Sequence, residues 1–233
     1  MTQLHTVHRG LGVVRPTNDV DIMLHLETSR GVPAKAAAAL ETLGYQLQAR
    51  IDPRDRTAHR WVRKGQVIDV SGSHMARDER QNEGTRSSHG EHYVDVLTAD
   101  HPAPKVVERM RGRDMVPIAG GTQALKHTVN AVLDIWPDRP TTISVPRPFA
   151  AVILKAAAYV TDSRDRDRHL YDAAALLACI EDPFTEVESL AGSDRRRIRI
   201  LIERLWEDHP AWRPLDRGAR VNAQAALRIL GSA

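Results

Sequence analysis

The sequence predicts an α+β protein, a mixed sheet with flanking helices followed by a C-terminal helical part, and three observations carry that prediction. Strand-like alternation of apolar and polar residues recurs through the first 146 residues, helical spacing dominates residues 147–233, and the change falls at "VPRP", Val145–Pro148. Residues 1–146 are therefore expected to form an α/β core and residues 147–233 a helical domain.

The elements follow in order. From Asp19 onward, Val20, Ile22, Leu24 and Leu26 point one way and Asp19, Asp21, Met23 and His25 the other, which predicts a strand with one dry face. "GVPAKAAAALETLGY" reads as a helix with Pro33 near its start and Gly44 at its stop, and "YQLQARI" returns to strand alternation. "HRWVRKGQVIDV" is expected to be a hairpin turning at Lys64-Gly65, and "HYVDVLTAD" a further strand. Between them, residues 71–91 are polar and aperiodic and read as a long loop or insertion. "APKVVERMRGR" is expected to be a short helix, "GGTQALKH" a turn into a helical turn, and "TVNAVLDI" and "TTISV" strands. "RPFAAVILKAAAYV", "DRHLYDAAALLACI", "DRRRIRILIERLWEDH" and "RVNAQAALRIL" all carry helical spacing. In the third of these, Ile198, Leu201, Ile202 and Leu205 mark an apolar stripe, with Asp194 as N-cap.

Composition narrows the class. With 42% hydrophobic and 27% charged residues the chain has the make-up of a folded globular protein rather than a disordered one. The opening "MTQLHTVHRG" lacks the apolar run of a signal peptide, and the best apolar stretch, "FAAVILKAAAYV", is short and interrupted by Lys155. A cytoplasmic protein with no membrane partner is expected. The single cysteine, Cys179, sits in "AALLACI", where it reads as a small buried hydrophobe. A net charge of +3 permits polyanion binding, and "DPRDRTAHRWVRK" and "SDRRRIRILIER" concentrate arginine, although a solvated face is the simpler reading of both.

The chemistry centres on Asp19 and Asp21. Residues two apart on a strand share a face roughly 6.6 to 7 Å apart, so the two carboxylates can converge on one hard cation such as magnesium. Left bare, carboxylates about 6 Å apart repel by roughly 3 kcal/mol at an effective dielectric near 20, a cost that water, Arg15 or a metal would relieve. Strand ends are often acidic for solubility alone, so the tripeptide does not by itself define a site. Lys155 lies among Val152, Ile153, Ala156 and Ala157, which packs its stem and directs its ammonium, as suits either a phosphate contact or a lysine at the core's margin. Gly120-Gly121 lacks the Lys-Ser/Thr of a Walker motif and reads as a turn. His89 and His92 lack companions for a zinc site. Arg164, Arg166 and Arg168 fit either a phosphate contact or a charged helix start.

"RPTNDVDIML" resembles the Arg-x-Thr-x-Asp-x-Asp signature of the nucleotidyltransferase superfamily with the DNA polymerase β-type fold, particularly AbiEii-like toxins and related bacterial proteins. The likeness extends to "AHRW", "YVDVLTADH", "GGTQAL" and "LKAAAYVTDSRDRDRHLYDAAALL", moderately specific together and weak singly. It implies a nucleotidyltransferase-like fold and transfer of a nucleoside monophosphate from a nucleoside triphosphate to an RNA, tRNA among them, or to a protein hydroxyl, with an antitoxin protein as partner. It implies Mg2+ or Mn2+ held by Asp19, Asp21 and a third carboxylate, and Thr17 beside the triphosphate. For that third carboxylate Asp95 has the better downstream context and Asp69 the closer hairpin spacing; the reading favours Asp95. Lys155 and Asp172 stand where related proteins complete the nucleotide pocket, while Asp172 can also pair with Arg168 one helical turn earlier.

The superfamily usually carries a helix with a glycine turn ahead of the acidic strand, and Gly10-Leu11-Gly12 is a poor substitute for it. A catalytically degenerate binding protein on the same fold is therefore the alternative expectation. A glycosyltransferase, in which Asp-x-Asp holds a metal and a diphosphate, is a third.

Overall fold

The computed structural model describes residues 1–12, 19–28, 30–48, 52, 54–63, 91–101 and 108–232. It is an α+β fold with a mixed five-stranded sheet, flanking helices and a C-terminal helical region. The contact network groups the chain into two compact units: Met1–Pro16 with Thr98–Val106 and Pro117–Ala233, and Thr17–Leu97 with Val107–Val116. The grouping differs from a division near residue 146, because the first helix, a short helix and a hairpin that precede that point join the helical unit. Each unit is described by itself.

The sheet unit is built on β1 (Asp19–Leu24), β2 (Gln46–Leu47), β3 (Arg60–Arg63) and β4 (His92–Ala99), in the order β1-β4-β3-β2, with β7 (Val116–Ile118) also paired to β4. β3 runs antiparallel to β4, with Arg60 opposite Asp95 and Trp61 opposite Val94. Trp61 and Val96 are fully buried and anchor the sheet's core. The dry face predicted for β1 is only partly dry: Leu24 and Leu26 are buried, but Val20 and Ile22 are exposed. Alternation fixes which side a residue faces, whereas burial requires something packed on that side; among the described residues β1 ends the strand order.

Helix α2 (Val32–Thr42) starts and stops as its sequence predicts, with a proline in its first turn, and Gly31 and Gly44 take the left-handed conformation at its ends. The predicted helix over "APKVVERMRGR" is corrected in its described part. Arg109–Met110 (β5) and Arg113–Asp114 (β6) form a small antiparallel hairpin, and Arg111 and Gly112 turn it with positive φ angles of 52° and 75°. Two consecutive positive φ values make the tight turn that suits the twist of a hairpin, and a helix cannot continue through them. The hairpin is tied to α2, where Arg111 donates to both Glu41 oxygens and Glu108 accepts from the Gly31 amide. The hairpin turn at Lys64-Gly65 and the loop over residues 71–90 lie outside the described residues.

The helical unit contains α1 (Thr2–His8), α3 (Gly121–Lys126), the hairpin β8 (Thr128–Trp136) and β9 (Arg139–Pro146), and α4 (Pro148–Thr161), α5 (Asp167–Leu177), α6 (Pro183–Glu188), α7 (Asp194–Arg204) and α8 (Arg217–Gly231). Its core gathers Phe149, Ile153, Leu170, Leu176, Leu201 and Trp212, all at most 2% exposed. Ala156, Ala173 and Ala174 are buried in the same core; such small side chains let helices pack closely. On α7, Ile198, Leu201 and Leu205 are buried as predicted, while Ile202 turns outward beside Arg195 and Arg199. Asp194 is the first helical residue rather than the N-cap, which is Ser193, and its carboxylate accepts from the Ala191 amide and Arg197. Among the described residues, no helix is long and apolar enough to cross a membrane.

Candidate functional site

Of the predicted site residues, Asp19, Asp21 and Asp95 belong to the sheet unit and Lys155 and Asp172 to the helical unit; Thr17 and Asp69 lie outside the described residues. β1 and β4 are neighbours in the sheet, so the acid-bearing strand lies directly beside the strand that carries Asp95. Asp19 is half-buried and Asp21 exposed. Asp95 is buried and both its oxygens are engaged, Oδ1 by Arg60 Nε at 2.9 Å and Oδ2 by Arg60 Nη2 at 2.7 Å.

Arg60 is the residue that sequence reasoning left without a role. The bidentate bond to Asp95 is the main cause that raises its pKa above the ordinary arginine value; burial opposes this, and the charges of Asp95 and then Asp19 add to it. Two acidic side chains from adjacent strands thus act on one guanidinium, which also lies over the Tyr93 ring at 5.4 Å. Arg60 is thus a cation that screens this acidic region; Arg15 lies outside the described residues. The signal was present in "HRW" and "YVD": strands paired in register set Arg60 opposite Asp95.

The fit to a divalent ion divides the predicted ligands. Asp19 and Asp21 share a strand face and have access to solvent, as a hard cation requires. Asp95 does not fit in its present pairing, because the guanidinium holds both oxygens. Among the described residues no three His, Cys, Asp or Glu side chains form a group that could hold a metal ion.

In the helical unit, Lys155 of α4 donates to Asp172 of α5 at 2.8 Å, and Asp172 is buried. Arg168 pairs with Asp162, at 3.0 Å. Asp162 organises the turn between the two helices. It accepts from the Arg164 and Asp165 amides, Arg168 and His169 Nε2, and these bonds, that from Arg164 foremost, hold its carboxyl far below the usual range. Arg164 contributes its amide to that turn and Arg166 stacks over Tyr159, which supports a structured helix start for "SRDRDRH". His169 is buried, and its Nδ1 has no hydrogen-bond partner. Burial lowers its pKa, the Asp162 bond opposes this, and the charges of Lys155 and Arg168 reinforce the lowering.

Gly120 takes the left-handed conformation ahead of α3, and the Asp100 carboxylate accepts from the Gly120 and Thr122 amides at 2.9 and 3.0 Å. The double glycine is a carboxylate-capped turn, with the Gly120 and Thr122 amides engaged by Asp100. Cys179 is buried and donates to the Ala175 carbonyl, and burial pushes its thiol up to about 11, out of the reactive range. His92 is exposed on β4, and His89 lies outside the described residues. In comparisons with protein-family models, curated proteins and solved structures, nothing matches this chain.

Proposed function

We propose that the protein is a nucleotidyltransferase of the DNA polymerase β type that moves a nucleoside monophosphate from a nucleoside triphosphate to a hydroxyl of an RNA, tRNA included, or of a protein, as toxins of toxin–antitoxin pairs do. One observation carries the reading: the strand that bears Asp19 and Asp21 lies beside the strand that bears Asp95, whose carboxylate is held by the Arg60 guanidinium. The buried Lys155–Asp172 pair supports it, as the arrangement the resemblance implies.

In this reading Asp19 and Asp21 would hold Mg2+ or Mn2+. A bound divalent ion would polarise the reacting phosphate and stabilise the departing pyrophosphate. The acceptor oxygen bonds to the α-phosphorus, the bond from that phosphorus to the bridging oxygen breaks, and pyrophosphate leaves. Arg60 has a double use: it neutralises Asp95 and Asp19 while no substrate is present, and its planar fork suits triphosphate oxygens when they arrive. Its transfer to phosphate frees Asp95 to take the acceptor's proton.

Asp19→Ala is expected to cut incorporation of label from an α-labelled triphosphate into an RNA or protein acceptor by roughly 10²-fold or more, with an unchanged circular dichroism spectrum. Undiminished labelling would sink the assignment. The engaged state of Asp95 favours a second reading, a nucleotide-binding protein without turnover. Calorimetric binding of magnesium and triphosphate, combined with no labelling across a panel of RNAs, would select it.

A further inference from the structure

The two arginine-rich stretches of the sequence meet different fates. In "DPRDRTAHRWVRK", Arg60 holds Asp95 and Arg63 lies over the Tyr45 ring at 5.0 Å, so both are used inside the sheet unit. In "SDRRRIRILIER", Arg197 turns inward to Asp194 at 3.1 Å and Asp100 at 3.7 Å. Its neighbours do not follow it. Among the described residues, no hydrogen bond or ion pair engages the side chains of Arg196, Arg199 and Arg204 on α7 or of Arg228 on α8, and all four are exposed.

The stability of α7 does not call for these charges. Arg195 and Arg196 stand in its first turn, where the helix dipole disfavours cations, and Arg199 is i+4 and i+3 from them, a spacing at which like charges repel. Arg195, Arg199 and Ile202 line a cleft with Leu230 and Gly231 of α8, and Arg228 lies one turn before Gly231 on that helix. The cleft holds about 60 Å³, far below the roughly 300 Å³ of a small-molecule pocket. A ligand must therefore lie across these arginines rather than sink between them. Together α7 and α8 carry eight arginines and two acids in a chain of net charge +3. Of those acids, Asp194 is buried against Arg197 and Glu203 is exposed.

We propose that this face of α7, with the adjoining end of α8, binds the phosphate backbone of an RNA. The inference rests on the proposed transfer to an RNA acceptor and gives that acceptor a surface on the helical unit. Charge complementarity carries it: arginines clustered along one helix face are the electrostatic footprint of a nucleic-acid binder, and each planar fork can donate two parallel hydrogen bonds to a phosphate. A lipid surface fits less well. The apolar residues Ile198, Leu201 and Leu205 of this segment are buried in the core, so α7 keeps no apolar face to enter a membrane.

Fluorescence anisotropy of a labelled single-stranded RNA, titrated with the full chain in the absence of triphosphate and magnesium, tests this. The wild type is expected to bind, with the logarithm of affinity falling linearly against the logarithm of salt concentration. Arg196→Gln/Arg199→Gln is expected to lower that slope by roughly 0.7 for each arginine and to weaken binding about tenfold, with an unchanged circular dichroism spectrum. Asp19→Ala is expected to bind RNA as the wild type does, which separates this surface from the proposed chemistry: a wild type that binds through these arginines yet labels no acceptor fails the transferase reading alone. A wild type that binds no RNA even at low salt overturns the proposal, and so does a double variant with unchanged affinity and slope. Polyglutamate or phosphatidylserine vesicles bound as tightly as RNA would assign the face to an acidic protein or a membrane and equally overturn it. Should the double variant fail to fold, ultraviolet cross-linking of the wild type to thiouridine-containing RNA reads the same face. Cross-links are expected in peptides of α7 and the end of α8, and cross-links confined to other segments refute the assignment.

Discussion

The Arg60–Asp95 and Lys155–Asp172 pairs have similar lengths, 2.7 and 2.8 Å, but unlike surroundings. Arg60 keeps 39% of its side chain in solvent and is aligned with its partner by strand register, whereas Lys155 keeps 19% and meets Asp172 between two helices whose alanines are buried. Water still screens the first pair. The second is held by its own geometry, so each partner of that pair depends more heavily on the other. A sheet sets opposite residues side by side cheaply, while a helix pair must exclude water around the same contact.

The largest expected effect breaks the desolvated pair. Lys155→Met removes the ammonium that meets the buried Asp172 carboxylate and is expected to cost about 3 to 5 kcal/mol in urea unfolding, and the double variant Lys155→Met/Asp172→Leu should recover most of that loss. A single variant as stable as the wild type would erase the contrast between the two pairs. Arg60→Gln is expected to cost less, about 1 to 2 kcal/mol, because solvent can partly replace the guanidinium around Asp95. A loss equal to that of Lys155→Met would show that exposure does not decide the ranking.

An acid titration sharpens the comparison from the helical side. Burial lowers the pKa of His5, His169 and His209, all in the helical unit. A histidine whose folded pKa lies below its unfolded value of about 6.5 contributes stability that is complete above that value and is lost as pH falls through the folded pKa. Thermal midpoints are therefore expected to drop as pH is lowered from about 6.5, with a shallower drop in His169→Gln. A midpoint that rises on acidification contradicts the assignment. The smallest change in stability belongs to Asp19→Ala, within about 0.5 kcal/mol, since the side chain is half-exposed on a strand that, among the described residues, ends the strand order. That variant separates the proposed chemistry from the fold.

The positions of elements were largely legible in the chain. Proline and glycine punctuate α2, the alternation of "HYVDVLTAD" is β4, and the apolar spacing of the last third is α4 to α8. Local signals failed where burial or turn geometry depended on distant partners. Val20 and Ile22 have strand alternation but are exposed, and "RMRGR" reads as a helix tail yet folds as a hairpin because Arg111 and Gly112 adopt positive φ. Of the polar residues, the acids of β1 and, singly, Lys155 and Asp172 could be named from the sequence, whereas Arg60 in the sheet unit and Asp162 and Asp100 in the helical unit could not.

The sequence by itself determined which residue types stand at which face and where helices and strands alternate, because those follow from backbone periods of 3.6 and 2 residues. Tertiary structure alone decided partnership: that Asp95 faces Arg60, that Asp172 meets Lys155, that Arg168 meets Asp162, and that β8 and β9 stand as a sheet apart. The physical reason is range. Periodicity is written in neighbouring residues, but the pairing of charges and edges is settled by strand register and helix packing between segments far apart in the chain.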